Sequence, residues 1–161
     1  MAKIKLKELL NRFFFVRLQP MKILVMGLPG SGKTYLTERL QPLLEAAWYN
    51  ADKIRAMAND WDFSHEGRQR QSLRMKTFAD YEKSHDRFVI CDFVCPTRET
   101  RKNFNADIVI WMDTISEGRF EDTNKIFENP DEAEVDFHIT EWNDKNHINI
   151  AYEIKKMNKN V

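Results

Sequence analysis

Residues 22–34 read Lys-Ile-Leu-Val-Met-Gly-Leu-Pro-Gly-Ser-Gly-Lys-Thr, and this stretch is the most informative in the sequence. Its first five residues are mostly apolar, which is typical of a buried strand, and residues 34–40 can form a helix. Between them, residues 27–34 match the pattern G-x-x-x-x-G-K-[ST] of the phosphate-binding P-loop. A glycine turn with an unrelated lysine is the alternative, but the strand before the loop and the helix after it favour the P-loop.

The P-loop predicts a site for the phosphates of ATP together with Mg²⁺. Glycines allow a positive φ and a close approach of backbone N–H groups to phosphate oxygens. The lysine is expected to reach the β- and γ-phosphates, and the threonine hydroxyl is expected to bind Mg²⁺. We therefore assign ATP binding to Gly27, Gly30, Ser31, Gly32, Lys33 and Thr34, with Thr34 as a metal ligand and Lys33 also catalytic.

Length and composition set broad limits. A chain of 161 residues can bury the core of one domain. Its 25 basic and 25 acidic residues cancel, so no general attraction to membranes follows, and a long nucleic acid is a disfavoured partner. The sequence has no apolar run of membrane-spanning length. Cys91 and Cys95 are its only cysteines; their spacing is not a zinc pattern, and their small number indicates a reducing, cytoplasmic compartment.

The first 20 residues differ from the rest. They hold five basic residues among Ile, Leu and three consecutive phenylalanines. A basic amphipathic arm for a membrane or a partner is one interpretation, although a short basic segment alone binds weakly. We favour the other interpretation, an upstream extension in residues 1–20 that lies outside a single P-loop domain of residues 21–161.

Strand-like and helix-like segments alternate after the P-loop. We predict an α/β fold of the P-loop NTPase type, with a mostly parallel sheet and helices on both faces. The polar stretch 117–131, which contains a glycine and a proline, is expected to be a loop. Strands are predicted at 46–50, 87–93, 106–113 and 135–140, and helices at 66–84, 97–103 and 143–157.

Two aspartates are candidates for catalysis. Asp92 ends an apolar strand, where a carboxylate can hold Mg²⁺, or it only terminates the strand. Asp52 follows the strand 46–50, at the edge of the sheet where ligands bind in α/β folds. It can orient the hydroxyl of a phosphoryl acceptor, or it can cap a helix that starts near Lys53.

Arginines after Asp52 indicate an anionic acceptor. Arg55 lies one helical turn beyond Asp52, and Arg68, Gln71 and Arg74 recur on one face of the helix predicted at 66–84. Guanidinium groups match phosphate or sulfate oxygens, whereas the alternative is a solvated charged face.

The motifs in this order resemble those of adenylylsulfate kinases, which phosphorylate the ribose 3′-hydroxyl of adenylylsulfate with MgATP in sulfate assimilation. That family has GLPGSGKT, then D-G-D-x-x-R, which is similar to residues 50–55 (Asn-Ala-Asp-Lys-Ile-Arg). Its D-L-G-F-S-x-x-D-R-x-x-N is similar to residues 60–71, where four positions match and Gln71 replaces the asparagine. Its S-F-I-S-P-x-R-x-x-R is similar to residues 92–101. Small kinases of this type also occur in viruses.

This resemblance implies roles for individual residues. Asp52 is implied as the catalytic carboxylate, and Arg119 as a lid arginine near the adenine of ATP. The implied acceptor site consists of Arg55, Phe63, Arg68 and Gln71.

The chain also departs from the family. Asn50 replaces the first Asp of D-G-D, and Ala51 replaces its glycine. Asp92 replaces the first serine of S-F-I-S-P-x-R-x-x-R. The family's loop between lid and last strand is shorter here. We expect a small-molecule acceptor, with adenylylsulfate first; a nucleoside, nucleotide or polynucleotide, and a nucleotide-binding module without transfer, are the alternatives. The sequence leaves a homodimer open.

Overall fold

A computed structural model describes residues 18–159, in which five strands form one sheet. The strand order is β2-β3-β1-β4-β5, and every neighbouring pair is parallel. The predicted α/β fold with a parallel sheet is therefore confirmed. The strands are β1 (Lys22–Met26), β2 (Ala47–Asn50), β3 (Val89–Asp92), β4 (Ile108–Met112) and β5 (Phe137–Ile139).

Helices cover both faces of the sheet because successive strand residues point to opposite sides. Ile23 and Val25 pack with one apolar cluster, which also includes Leu40. Leu24 and Met26 pack with the other, which includes Met75. The helices of the described residues are α1 (Lys33–Leu44), α2 (Ala51–Ala58), α3 (His65–Ser84), α4 (Arg98–Phe104), α5 (Glu121–Ile126) and α6 (Asn146–Lys159).

The loop predicted at residues 117–131 contains helix α5, so that prediction is wrong for residues 121–126. Local composition favours a loop, but contacts with distant residues stabilise the helical turn. Thr123 is buried, and Arg68 of α3 pairs with Asp122 at 2.8 Å and contacts the Thr123 hydroxyl at 3.4 Å. Tertiary contacts thus override a weak local preference.

Most of residues 1–20 lie outside the described residues, so their role stays a prediction. From residue 18 onward the chain lies on the domain: Leu18 packs against the first apolar cluster, and the Asn158 amide donates to the Gln19 carbonyl at 3.2 Å. Among residues 18–159, none of the helices has the length and apolar character that crossing a bilayer requires.

The register of the sheet sets the position of the site. Asn50 at the end of β2 pairs with Asp92 at the end of β3, and Asp92 pairs with Val25 near the end of β1. Because parallel strands end at the same edge, the P-loop and these polar side chains lie together there.

Candidate active site

The P-loop has the backbone conformation that its glycines predict. Gly27, Gly30 and Gly32 have φ values of 144°, 90° and 94°. A Cβ atom on Gly27 would lie 2.4 Å from the Met112 carbonyl oxygen, so no larger residue fits there without a shift. Gly32 precedes α1 and has no side chain to cap it, which leaves the first N–H groups of the helix for an anion.

Lys33 lies within this loop, where its Nζ donates to the Leu28 carbonyl at 2.9 Å. Burial lowers the pKa of Lys33 to about 8, although the carboxylates of Asp92 and Asp52 oppose the shift and Arg119 adds to it. The charges of Asp92, Asp52 and Arg119, which are all predicted site residues, therefore influence the pKa of Lys33. An ammonium held with little hydration interacts strongly with phosphate.

The lowered pKa of Lys33 predicts proton uptake when ADP binds. Phosphate oxygens favour the charged lysine and raise its pKa again, so above pH 8 binding must add a proton, and ADP affinity must fall as the pH rises. At about pH 8.5 we expect an uptake of roughly 0.7 proton per site. Calorimetry in buffers of different ionisation enthalpy measures this uptake. The Lys33→Met variant should lose it, and the exposed-lysine control Lys102→Met should keep it.

Asp92 is the centre of a hydrogen-bonded group at the sheet edge. The Thr34 hydroxyl donates to its Oδ2 at 2.9 Å, and the Asn50 amide donates to the same oxygen at 3.0 Å. The Trp48 indole N–H donates to Oδ1 at 3.0 Å. Burial raises the pKa of Asp92, and these three donors oppose that change. The interpretation that Asp92 only terminates its strand does not account for this set of contacts.

Thr34 and Asp92 fit the chemistry of a Mg²⁺ site, because both offer hard oxygen ligands. Within residues 18–159, no group of three or more His, Cys, Asp and Glu side chains is placed to hold a metal by itself. A magnesium ion at Thr34 and Asp92 would therefore depend on nucleotide phosphates and water for its remaining ligands, as is usual for this ion.

Asp52 is not the cap of the following helix, so that alternative is wrong. Helix α2 begins at Ala51, and the Asn50 side chain caps it by accepting the Lys53 N–H at 3.1 Å. Asp52 lies in the first helical turn, where it is exposed and lines a cavity of about 470 Å³. Its carboxylate is free to face a ligand in that cavity.

The cavity brings together the predicted acceptor residues. Arg55, Phe63, Arg68 and Gln71 all line it with Asp52. Residues 93–97, which follow β3, line the same cavity, as does Ile126 of the α5 segment. The structure thus joins three sequence motifs and the segment before the last strand around one space.

Arg55 and Gln71 are held by backbone carbonyls. The buried Arg55 guanidinium donates to the carbonyls of Asp60 and Asp62, both at 3.0 Å, and lies 4.4 Å from the centre of the Phe63 ring. Burial lowers the pKa of Arg55. The Gln71 amide donates to the Ala51 carbonyl at 3.0 Å. These bonds fix the cavity wall next to Asp52.

Arg74 shares a helix face with Gln71, as predicted, but it is not among the residues that line the cavity. Its guanidinium donates to Asp60 at 2.6 Å and to Gln71 Oε1 at 3.0 Å. Asp60 also pairs with Arg70 at 2.7 Å, and these bonds hold the pKa of the Asp60 carboxyl well below its usual value. Arg74 and Arg70 therefore stabilise the segment before α3 through Asp60.

Arg68 links the cavity to helix α5. It donates to the Phe63 carbonyl at 2.9 Å and pairs with Asp122 at 2.8 Å. A longer contact of 3.4 Å reaches the Thr123 hydroxyl. An anionic acceptor that reaches Arg68 has to compete with the Asp122 carboxylate.

The segment that carries Arg119 contacts the P-loop. The Thr114 hydroxyl donates to the Ser31 carbonyl at 2.7 Å, and a Cβ atom on Gly118 would lie 3.2 Å from Pro29. Arg119 is exposed and its guanidinium lies 5.4 Å from the Phe120 ring centre. The predicted lid arginine thus directly follows a residue that packs against the P-loop.

Sequence reasoning missed two aromatic residues beside the P-loop. Trp48 lies two residues before Asn50 on β2, so the two-residue period of a strand could have placed both on the face that meets Asp92. Trp142 packs on Gly32 so closely that a Cβ atom there would lie 1.6 Å from the indole ring. It also meets Tyr35 edge-on at 4.8 Å. No spacing rule connects residue 142 with the P-loop.

Comparisons with known proteins identify the family of the chain. A family model described as adenylylsulphate kinase matches residues 19–117, which is more than half of the chain. A protein of Aeropyrum pernix named "Probable adenylyl-sulfate kinase" is 33% identical over 84 residues. That alignment covers 47% of this chain and 44% of the relative, so it spans less than half of the relative's length.

Solved structures share the fold at low identity. The APS kinase CysC of Mycobacterium tuberculosis, in complex with AMPPNP and APS, has a TM-score of 0.66 and 20% identity, and the match covers 86% of this chain and 98% of that one. A gluconokinase from Sinorhizobium meliloti 1021 has a TM-score of 0.64 and 13% identity, with coverage of 89% and 96%. These structures show a P-loop kinase fold, and the match of residues 19–117 shows that the chain belongs to the adenylylsulfate kinase family.

Proposed function

We propose that this chain transfers the γ-phosphoryl group of ATP to the 3′-hydroxyl of adenylylsulfate. The observation that carries the proposal is the cavity beside the P-loop, in which Asp52 lies with Arg55, Phe63 and Arg68. These residues come from two separate motifs of the family, and the fold brings them around one space next to the phosphate site.

Each step has a residue suited to it. The P-loop N–H groups and Lys33 bind the phosphates and stabilise the charge on the transferring group. Asp52 accepts a hydrogen bond from the attacking hydroxyl and orients it. Arg119 lies near the phosphate site and adds positive charge there. Thr34 and Asp92 would hold the Mg²⁺ that binds with ATP, and the ion would supply positive charge to the phosphates.

Adenylylsulfate fits the cavity by its chemistry. Half of the Phe63 side chain is exposed, so an adenine ring can stack on it. The guanidinium groups of Arg55 and Arg68 lie 4.4 and 5.7 Å from the centre of that ring, where they can meet the phosphosulfate anion. A cavity that pairs an aromatic surface with two cations selects an anionic nucleotide over a neutral sugar.

A different hydroxyl acceptor is the second candidate, and the Arg68–Asp122 pair favours it. In this structure Asp122 of α5 forms an ion pair with Arg68, the side chain that an anionic acceptor would need to bind. A neutral acceptor, such as a nucleoside, could enter without breaking this pair. The gluconokinase among the fold relatives is named for a different acceptor, so a similar fold occurs with another substrate.

An ADP-release assay across acceptors tests the proposal. The purified chain, ATP and Mg²⁺ are combined with adenylylsulfate, a nucleoside, a nucleoside monophosphate or a DNA end. We expect adenylylsulfate to stimulate ADP release well above the acceptor-free rate. Stimulation by another acceptor alone would replace the proposed substrate, and an unstimulated rate with every acceptor would favour a binding module without transfer.

The Arg68→Ala variant is expected to raise the acceptor KM by roughly tenfold or more, because a desolvated arginine–anion contact contributes about 1.5–3 kcal/mol. The ATP KM should change much less, since Arg68 lies on the cavity side of the site. Arg87→Ala is the matched control, because Arg87 is exposed and pairs with Glu82 away from the cavity. Equal changes in both KM values would contradict an acceptor role.

A further inference from the structure

Two departures from the family motifs meet at one point in the structure. The family has an aspartate where this chain has Asn50, and a serine where this chain has Asp92. The two positions are 42 residues apart in sequence, yet they are register partners on neighbouring strands. The Asn50 amide donates to Asp92 Oδ2 at 3.0 Å and to the Thr34 hydroxyl oxygen at 3.2 Å.

We propose that these departures are a single exchange, in which the carboxylate of the family's β2 position is supplied instead from β3, at Asp92. Asn50 and Trp48 are then positioning residues that hold this carboxylate against Thr34. The inference rests on the metal role proposed for Asp92, and it adds that the site keeps one carboxylate whose strand of origin has changed.

The contacts of Asp92 explain why the two changes belong together. Its buried carboxylate accepts hydrogen bonds from Thr34 and Asn50 on Oδ2 and from Trp48 on Oδ1. An aspartate at position 50 beside Asp92 would remove a donor and place two negative charges in contact, which is unfavourable in a buried site. A serine at position 92 beside Asn50 would leave the site without a carboxylate.

Asn50 can take this place because its amide has two ends. Its Nδ2 bonds Asp92 and Thr34, while its Oδ1 accepts the Lys53 N–H and caps α2. Aspartate caps helices as well as asparagine does. The two residues can therefore be interchanged without loss of the cap, and an amide at position 92 can still accept the Trp48 N–H and donate toward position 50.

Trp48 fixes the orientation of the carboxylate. Its indole N–H holds Oδ1 at 3.0 Å, so Oδ2 turns toward Thr34. A carboxylate held by a donor on one oxygen loses less rotational freedom when the other oxygen meets a metal or its bound water. This residue has no counterpart among the four motifs of the resemblance.

A swap experiment tests the exchange without any acceptor. The wild type, Asp92→Asn, Asn50→Asp and the double variant Asn50→Asp/Asp92→Asn are compared by calorimetric ADP binding with and without Mg²⁺. We expect Asp92→Asn to lose roughly tenfold of the Mg²⁺ enhancement of ADP affinity, as positioning partners and ligands of metals typically do. The double variant should recover it to within about threefold of the wild type. Asn50→Asp alone should lower the melting temperature in the absence of metal.

The matched control is Asn50→Ser/Asp92→Asn, which changes the same two positions but brings no carboxylate, and it should stay as weak as Asp92→Asn. If the Mg²⁺ enhancement of ADP affinity in the swapped double variant is no larger than in Asp92→Asn, the exchange is overturned.

The Trp48→Phe variant tests the positioning role of Trp48. It should reduce the Mg²⁺ enhancement severalfold and leave the metal-free ADP affinity unchanged, and an unchanged enhancement overturns this role. If Mg²⁺ does not change the ADP affinity of the wild type, both the metal role of Asp92 and the exchange are overturned. If adenylylsulfate fails to stimulate ADP release but the double variant recovers the Mg²⁺ enhancement, only the proposed acceptor is wrong.

Discussion

Replacement of Lys33 by alanine is expected to reduce phosphoryl transfer by roughly 10³-fold or more, because the ammonium stabilises charge on the transferring group inside a site with little water. The structure supports this strong dependence, because burial lowers the pKa of Lys33 to about 8 and the charges of Asp92 and Asp52 oppose that shift. The rate of ADP formation with saturating ATP and acceptor measures the loss.

The fold should survive this change. Lys33 lies at the first position of α1, and its side chain makes one hydrogen bond, to the Leu28 carbonyl, among the contacts of residues 18–159. Since a partly buried charge disfavours folding below its pKa, the melting temperature of Lys33→Ala should be equal to or above that of the wild type. The Lys102→Ala variant controls for removal of an exposed lysine. Normal turnover by a folded Lys33→Ala protein would contradict the assignment of residues 27–34 as the ATP-binding P-loop.

Local patterns in the sequence predict the core of the fold well. The β1–P-loop–α1 unit is decided by neighbouring residues, so the apolar run, the glycines and Lys33 suffice to predict it. Asp92 is also predictable, because an apolar strand that ends in a carboxylate is a short-range signal. Helix α5 is different, since Asp122 and Thr123 are held by Arg68, which lies on another helix.

The contacts that complete the site depend on register and on distant segments. Whether Asn50 meets Asp92 is decided by the pairing of β2 with β3, and a shift of one residue would turn both side chains to other partners. The Arg68–Asp122 pair joins residues 54 positions apart. Trp142 reaches Gly32 only because the chain returns to the P-loop after β5. The hydrophobic periodicity of a single helix or strand predicts none of these contacts.

The acceptor is where sequence and structure give different kinds of support. The motifs predict which side chains line the cavity, and the structure places Arg55, Phe63, Arg68 and Gln71 there. It also shows that Arg55 and Arg68 already bond to groups of the protein, to the Asp62 carbonyl and to Asp122 among others. Binding of an anion therefore exchanges hydrogen bonds at Arg68 rather than filling an unpaired site, which lowers the net gain in free energy.

Asp52→Asn is expected to reduce kcat by roughly 10²-fold or more, because an amide cannot accept the proton of the attacking hydroxyl as a carboxylate does. Asp52 is exposed, lies in the first turn of α2 and lines the cavity that we propose for the acceptor. Since Asn50 provides the cap of α2, the substitution removes no capping bond. It removes the interaction of an acidic residue with the helix dipole, which contributes about 0.3–1 kcal/mol, and the attraction between the Asp52 and Lys33 charges.

The matched control for this prediction is Glu66→Gln, since Glu66 is an exposed acidic residue in the first turn of α3. Both variants lose the same helix-dipole interaction, so both should show a similarly small change in melting temperature. Only Asp52→Asn should lose turnover, and its affinity for ADP should stay near that of the wild type, because ADP contacts the P-loop rather than the acceptor cavity. A kcat of Asp52→Asn within threefold of the Glu66→Gln value would contradict a catalytic role for Asp52. A rise in the acceptor KM with unchanged kcat would instead make Asp52 a binding residue, because the lost interaction would then be equal in the ground state and the transition state.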